Sequence, residues 1–422
     1  MSGPAALLQQ RHALVLVPAS DRRKITGLTL AERGRRVAVL AGIAPARVVL
    51  VRSAEELSAA RGQLAKVPLL VMTATSQVVA VSLLAKLALD EPGQRQAVDP
   101  ARGGQSAGAW VLDAQGAEAA LDAVAAAYVH AGTGSGAAVA LLDLSLGEGF
   151  APVEVDRRAR FPMRAPGDLR AAIRWQYELV NKPLDAPICR YFYRPLARPL
   201  TILFLRSPLS PNVISVLSIL LSLAGCAIAA SGDLTTHVVG LLVLLSGGIV
   251  DTNDGEVARL RLEMSKTGAW IDAMGDDMAR IGLLLGMGGH VAATHPSWPV
   301  WPVTLAAAAM TVLSLVLIYW YCIFVIDSSN NQDYTKALQI GPGVRAEGSA
   351  RSVGAWLADM GAQIVRRDFI DLAAVFVAIA GGSLVTFSLL SVGALATLIV
   401  VVPTHLKIVK AVRSGQIVPV RR

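Results

Sequence analysis

The amino-acid sequence predicts an α/β cytosolic domain in residues 1–165, followed by an all-α polytopic membrane domain of six transmembrane helices in residues 211–422. Three observations lead to this fold class. The hydrophobic fraction is 54%, which exceeds that of ordinary soluble domains. From about residue 200 onward, apolar residues form runs of roughly 20, the length that crosses a hydrocarbon core of about 30 Å. Before that point, short apolar strands alternate with amphipathic helices.

The order of the predicted strands and helices supports the α/β fold of the first domain. The segments "HALVLVPAS", "RVVLV", "VPLLVMTA" and "GAWVLD" are short, apolar and rich in β-branched residues, which is typical of buried strands. The segments "LTLAERGRRVAVLAG" and "GAEAALDAVAAAYVHAG" have the spacing of amphipathic helices. Strands that alternate with helices predict a parallel or mixed sheet covered by helices.

We predict that residues 166–210 form a linker with two helices. The segment "PGDLRAAIRWQYELV" has a helical pattern, and "CRYFYRPLARPLTILFLRSPL" has the aromatic and arginine residues of an interfacial helix. Six apolar segments then predict the transmembrane helices, at residues 211–231, 235–257, 267–290, 299–326, 366–383 and 386–408.

The distribution of basic residues predicts how these helices are oriented. The connections "SGDLTTH", "HVAATHPSW" and "GGSLVTF" contain no lysine or arginine. The alternate connections and the C-terminal tail are basic, which places them and both termini in the cytosol of a cell (inner) membrane protein. The net charge of +8 therefore reflects topology and an anionic lipid surface, and not a nucleic acid partner. The N-terminus lacks the basic region of a cleavable signal peptide.

Aspartates interrupt two of the apolar segments in "DTNDGEVARLRLEMSKTGAWIDAMGDD". Spacings of three and four residues place Asp251 with Asp254, and Asp272 with Asp276, on one face of each helix. Antiparallel helices would bring the two pairs level with one another. Placing a charged carboxylate within a membrane costs free energy, so such residues usually have a function. Carboxylate oxygens are hard ligands, which suit Mg²⁺, Mn²⁺ or Ca²⁺. Two alternatives remain open: structural ion pairs with nearby arginines, and a cation or proton path in a transporter.

The same stretch resembles the CDP-alcohol phosphotransferase family, whose motif is D-x2-D-G-x2-A-R-x8-G-x3-D-x3-D. The matching positions are Asp251, Asp254, Gly255, Ala258, Arg259, Gly268, Asp272 and Asp276. In that family an alcohol attacks a CDP-linked donor, and CMP is released. The resemblance also implies a homodimer. One departure is Asp277, where family members often have arginine.

The resemblance implies a role for each matching residue. Two Mg²⁺ or Mn²⁺ ions would be held by Asp251, Asp254, Asp272 and Asp276, and Asp276 would also act as general base. The CDP-binding residues would be Gly255, Ala258, Arg259 and Gly268. For the acceptor, the basic pair Arg366 and Arg367 predicts a phosphate site, such as an inositol phosphate would need. The alternatives are ordinary membrane anchoring for these arginines, and phospholipid head-group synthesis from CDP-diacylglycerol.

The first domain resembles a nucleotidyltransferase, and the whole chain resembles bifunctional fusions of an inositol-phosphate cytidylyltransferase with a di-myo-inositol phosphate phosphate synthase. An active nucleotidyltransferase has a Gly-rich loop after its first strand, whereas "VPASDRRKITG" has no glycine before Gly27. The expected metal-binding aspartate after the strand "VPLLVMTA" is replaced by Thr75. We therefore expect this domain to be inactive, so that the donor comes from another enzyme.

Overall fold

The structure is a computed structural model. It describes residues 8–18, 21, 23–74, 77–88, 93–100, 104–131, 141, 144–147, 149–156, 158–163, 167–180, 187–328, 333–334 and 366–419. Thr75 lies outside the described residues. The chain divides into two compact units, one of Met1–Lys182 with Arg259–Leu262, and one of Pro183–Ala258 with Glu263–Arg422.

The first unit is an α/β structure around a mixed sheet. Its strands are β1 (His12–Leu16), β2 (Lys24–Ile25), β3 (Leu28–Thr29), β4 (Val48–Val51), β5 (Leu69–Thr73), β6 (Gln77–Val79), β7 (Arg95–Asp99), β8 (Gln105–Leu112), β9 (Ala151–Glu154) and β10 (Arg160–Pro162). Its helices are α1 (Leu30–Leu40), α2 (Ala54–Leu64), α3 (Val81–Ala88), α4 (Ala117–Ala131) and α5 (Asp168–Val180). The main sheet has six strands in the order β4-β1-β5-β8-β7-β9.

The central strands of this sheet are buried on both faces. On β1, Ala13 and Val15 join one hydrophobic cluster, whereas Leu14 and Leu16 join another. This alternation follows from the two-residue period of a strand. Because both faces are covered, the strand contains a continuous apolar run, which is what the sequence shows at "ALVLV".

The predicted α/β class and mixed sheet are confirmed. Strand β1 pairs in parallel with β4 and β5, and β8 pairs antiparallel with β5 and β7. All four predicted strands and both predicted helices are present. The resemblance to a nucleotidyltransferase remains a prediction.

The second unit is helical. A π-helical turn at Cys189–Tyr193 leads into α6 (Arg194–Arg206), which is followed by α7 (Pro211–Ala229), α8 (Leu234–Arg261), α9 (Lys266–Thr294), α10 (Val300–Trp320), α11 (Arg367–Ile379) and α12 (Ser383–Arg413). Helices α7 and α8 approach closely through glycine. A Cβ atom at Gly225 would lie 2.3 Å from the backbone nitrogen of Leu244, and one at Gly240 would lie 2.2 Å from that of Ala229. Small residues allow this contact, as is common between helices in membranes.

Four of the described helices are long and apolar enough to cross a membrane: α7, α8, α10 together with the π-helical turn up to Val325, and α12. Helices α9 and α11, which correspond to two of the predicted spans, do not meet the same criteria of length and hydropathy. Helix α9 has 29 residues, but its aspartates, arginine and glycines lower its hydropathy. Helix α11 has only 13 residues, fewer than the roughly 20 that a membrane-crossing helix needs. The count of six spans therefore remains a prediction.

Candidate metal and phosphotransfer site

The centre of the candidate site is a group of three carboxylates. Asp251 and Asp254 belong to α8, and Asp272 belongs to α9, after the short connection at residues 262–265. One carboxylate oxygen from each of these three residues lies within 4.8 Å of the other two. The predicted meeting of aspartates from the two helices is therefore present in the structure.

The fourth aspartate of the motif, Asp276, lies beside this group and contacts an arginine. The Nη1 atom of Arg367, at the start of α11, donates a hydrogen bond to Oδ1 of Asp276. The same Nη1 atom is 4.0 Å from Oδ2 of Asp251. Arg367 thus brings a buried positive charge to the carboxylates.

Two further groups fix the guanidinium of Arg367. Its Nε atom donates to Oδ2 of Asp371 at 3.2 Å, and its Nη2 atom donates to Oγ of Ser222 at 3.1 Å. Asp371 follows Arg367 by four residues, so both side chains lie on one face of α11. With Nε and Nη2 held in this way, Nη1 is directed at Asp276 and Asp251.

Serines of α7 support the carboxylates from the other side. Ser215 donates to the carboxylate of Asp254, and Ser218 donates to Oδ1 of Asp251 at 3.0 Å. Together with Ser222, these serines have the spacing i, i+3, i+7 and are almost completely buried. These serines were not among the predicted site residues, although three serines on one face of an apolar helix indicate a polar partner.

A second buried network lies next to Asp254 on α8. The hydroxyl oxygen of Thr201 on α6 lies within hydrogen-bond distance of Oδ1 of Asn253 and Oε2 of Glu256, at 2.7 Å from each. Arg194 of α6 forms an ion pair of 2.7 Å with Oε1 of Glu256. These bonds join α6 to the two residues that lie on either side of Asp254 and Gly255, and so help to fix the orientation of α8.

Asp277, the departure from the family motif, is buried and contacts a different helix. Tyr319 of α10 donates a hydrogen bond to Oδ2 of Asp277. Trp270 packs against the same tyrosine ring, with 5.5 Å between the ring centroids. In this position Asp277 links α9 to α10.

The residues predicted to bind CDP lie on the same two helices. The backbone nitrogen of Gly255 donates to the carboxylate of Asp254, and Ala258 is half-buried one turn further along α8. Gly268 lies in the first turn of α9, where its backbone nitrogen donates to the N-cap Ser265 at 2.9 Å. A Cβ atom at Gly268 would be 2.9 Å from Oδ1 of Asn212, so this glycine also permits a close approach of α7.

Two further predicted residues, Arg259 and Arg366, lie at the ends of helices. Arg259 belongs to the last turn of α8, and its place in a nucleotide site remains a prediction. Arg366 is the N-cap residue of α11. Its Nη2 atom is 3.8 Å from Oδ2 of Asp368, and its side chain is 33% exposed, so it remains accessible to a ligand.

The donor set fits a divalent cation of the hard type. Carboxylate oxygens bind Mg²⁺ at about 2.1 Å and Ca²⁺ at about 2.4 Å, so oxygens that share one ion lie up to roughly 4–5 Å apart. The 4.8 Å limit that encloses the oxygens of Asp251, Asp254 and Asp272 agrees with this. The local charge agrees too, because the single guanidinium of Arg367 is shared among three carboxylates, those of Asp251, Asp276 and Asp371. Closely packed carboxylates repel one another unless cations or protons compensate them.

Comparison of the sequence with known protein families shows which family the segment that contains this site resembles. Residues 208–340 match the family model described as CDP-alcohol phosphatidyltransferase. This segment includes the complete aspartate motif, so the resemblance inferred from that motif is confirmed.

Two curated relatives share part of the chain. Each is named "Bifunctional IPC transferase and DIPP synthase". The protein from Rubrobacter xylanophilus is 37% identical over 132 residues, which cover 30% of this chain and 30% of the relative. The protein from Aquifex aeolicus is 29% identical over 110 residues, which cover 26% of this chain and 24% of the relative. The matched part thus spans less than a third of either relative's length.

Proposed function

We propose that this chain is a metal-dependent CDP-alcohol phosphotransferase. It transfers a phosphoalcohol group from a CDP-linked donor to a hydroxyl group of an acceptor and releases CMP. The observation that carries the proposal is the meeting of Asp251, Asp254 and Asp272 within a segment that matches the family model. A cation- or proton-coupled transporter has no comparable support.

The reaction needs one proton acceptor, and we assign that role to Asp276. The acceptor oxygen forms a bond to the phosphorus that carries the donor alcohol. The bond from that phosphorus to the bridging oxygen breaks, and CMP leaves with that oxygen. Asp276 takes the proton of the attacking hydroxyl. Its side chain is 44% exposed, so an acceptor can reach it although Arg367 holds one of its oxygens.

The other residues of the motif bind and orient. Asp251, Asp254, Asp272 and Asp276 would hold two Mg²⁺ or Mn²⁺ ions. When bound, these ions neutralise the diphosphate and the departing CMP. The cytidine and diphosphate would occupy the space beside Gly255, Ala258, Arg259 and Gly268.

For the acceptor we propose a phosphorylated polyol of the inositol phosphate type. Arg366 supports this choice, because its partly exposed guanidinium adjoins the aspartate cluster through Arg367. A guanidinium suits bidentate binding of phosphate. Arg367 would contribute its charge to the same phosphate once metal ions satisfy Asp276. Phospholipid head-group synthesis from CDP-diacylglycerol is the second candidate, since the site is built on helices of membrane-spanning length.

The proposal includes a membrane topology. We propose that α9 and α11 cross the membrane together with the four apolar helices, which gives six spans, with both termini in the cytosol and a homodimeric assembly. The support is the basic character of alternate connections, such as Arg261 and Lys266 beside the connection from α8 to α9.

The experiment that tests the proposed function is a coupled product assay. Purified protein is incubated with Mg²⁺, a CDP-linked donor and an alcohol, and CMP and the new phosphodiester are both quantified. Equal amounts of the two products are expected. CMP without a phosphodiester would indicate simple hydrolysis, and neither product with any donor would contradict the proposal.

A further inference from the structure

A cavity lies among α9, α10, α11 and α12 and has no part in the chemistry described above. Its volume is about 350 Å³. Along α11 it extends from Phe369 to Val377, which corresponds to about 12 Å at 1.5 Å per residue. Leucine, isoleucine, valine, alanine and phenylalanine form most of its wall.

Four hydroxyl side chains line the cavity, and those of Thr311, Ser314 and Thr397 donate to backbone carbonyls of their own helices and not to a ligand. Thr311 donates to the carbonyl of Ala307 at 2.9 Å, and Ser314 donates to that of Met310 at 2.8 Å. Thr397 donates to a backbone carbonyl in the same way, at 2.8 Å. A polyol in this cavity would therefore lose hydrogen bonds to water without adequate replacement. The wall suits a hydrocarbon.

One end of the cavity is charged and lies about one helical turn from Asp276 along α9. Arg280 lines it, and Arg280 follows Asp276 by four residues, which places both on one face of α9. On α11, Phe369 in the wall follows Arg367 by two residues. An elongated apolar cavity with a guanidinium at one end is complementary to an apolar chain that carries an anionic group.

The side of the cavity formed by α12 is open. Val385 and Leu389, which both line it, are 56% and 68% exposed. In the membrane topology proposed above, α12 crosses the bilayer, so this opening faces hydrocarbon. A lipid chain can therefore enter sideways, without passing through water.

We propose that the cavity binds one hydrocarbon chain of an anionic membrane phospholipid, whose phosphate is held by Arg280. This inference goes beyond the proposed function, because the binding does not depend on phosphotransfer. The apolar wall binds the chain through burial from water and close packing, and Arg280 gives the preference for an anionic headgroup.

The chain offers a well-matched pair of variants for the test. Gly393 lines the cavity, and a Cβ atom built there meets no other atom within 4 Å. Gly393→Phe therefore fills the cavity without a backbone clash. Val392→Phe adds a ring to the neighbouring position, which is 64% exposed and lies outside the wall, and serves as the control. Arg280→Gln removes only the charge.

The measurement is the amount of phospholipid retained per chain, by mass spectrometry, after equilibration with vesicles of equal parts phosphatidylglycerol and phosphatidylcholine. We expect wild type and Val392→Phe to retain about one phosphatidylglycerol, and Gly393→Phe to retain at least fivefold less. Arg280→Gln should lose the preference for phosphatidylglycerol. Equal retention in Gly393→Phe and Val392→Phe would overturn the proposal. A second result would also overturn the proposal: Gly393→Phe retains its phospholipid but no longer forms a dimer. That result would show that a second copy of the chain, and not a lipid, occupies the opening.

The CMP assay on the same samples separates this inference from the proposed function. If wild type releases no CMP but Gly393→Phe loses its phospholipid, the lipid site is supported and the phosphotransfer is contradicted. If CMP is released and lipid retention does not depend on Gly393, the lipid site is contradicted and the phosphotransfer is supported.

Discussion

Arg367 on α11 and Asp276 on α9 form an ion pair inside the helical unit, although 91 residues separate them in the chain. The guanidinium is 9% exposed and also faces Asp251 and Asp371. It is therefore an internal counter-ion of the aspartate cluster. A divalent cation that enters the cluster must share the carboxylates with this fixed positive charge.

The first prediction is that Arg367→Gln binds Mn²⁺ more tightly than wild type when no substrate is present. Two unit charges 4 Å apart interact by about 4 kcal/mol at an effective dielectric constant of 20, so loss of the repulsion should tighten binding by roughly tenfold or more. Titration calorimetry or Mn²⁺ electron paramagnetic resonance measures this. In the presence of EDTA the same variant should unfold at a lower temperature, because the carboxylates lose their counter-ion.

The control for that experiment is Arg366→Gln, which removes a neighbouring charge that lies outside the carboxylate group. Its Mn²⁺ affinity should stay within about twofold of wild type, while its KM for a phosphorylated acceptor should rise. Equal Mn²⁺ affinity in wild type and Arg367→Gln would show that Arg367 does not act on the metal site.

The second prediction concerns the general base. Asp276→Asn should reduce CMP release by about 10²–10⁴-fold, the usual contribution of a positioned base, because the amide cannot accept the proton of the acceptor. Binding of the CDP-linked donor in the presence of Mn²⁺ should remain, since three carboxylates are still available. Turnover close to wild type would refute the assignment of Asp276 as the base.

The third prediction concerns the buried pair of Arg194 and Glu256, which lies beside Asp254. Glu256→Ala should destabilise the protein by about 3–5 kcal/mol, because it leaves the Arg194 guanidinium buried without its carboxylate. The double variant Arg194→Met/Glu256→Met should recover most of that loss. Urea or thermal unfolding in detergent measures the difference, and an unchanged midpoint in Glu256→Ala would show that the pair does not secure α6 on α8.

The fourth prediction concerns the first unit. We expect the full chain to release no pyrophosphate from CTP with any inositol or sugar phosphate, because the loop after β1 lacks the glycines that cradle a triphosphate. A sensitive pyrophosphate assay with Mg²⁺ checks this. Addition of an active cytidylyltransferase to the same sample provides the positive control. Pyrophosphate release by the chain alone would show that the unit is a working enzyme.

The parts of the structure that follow from local periodicity were predictable. The aspartates were found because spacings of three and four residues put side chains on one face of a helix. Strands β1 and β5 were found because burial on both faces requires a continuous apolar run. Strands β7 and β9 were missed because "RQAVD" and "APVE" are short and mixed in polarity, and only their pairing in the sheet makes them strands.

The contacts that complete the site were less accessible to sequence analysis. Arg367 was identified as a phosphate ligand, but its ion pair with Asp276 depends on how α11 packs, which no local pattern specifies. Asp371 was not considered, although its four-residue spacing from Arg367 is a typical helical ion pair. The serines of α7 were read as part of an apolar span, because a single buried hydroxyl group changes the hydropathy very little.

The most direct test of the central claim is CMP release by the purified chain with Mg²⁺ or Mn²⁺, with CDP-inositol and CDP-diacylglycerol as donors and a panel of alcohols and inositol phosphates as acceptors. Asp272→Asn, which alters one ligand of the cluster, is measured in parallel. We expect CMP release that requires an acceptor, stops with EDTA and falls at least 100-fold in Asp272→Asn. Absence of CMP with every donor, or release that neither EDTA nor the variant affects, would contradict it.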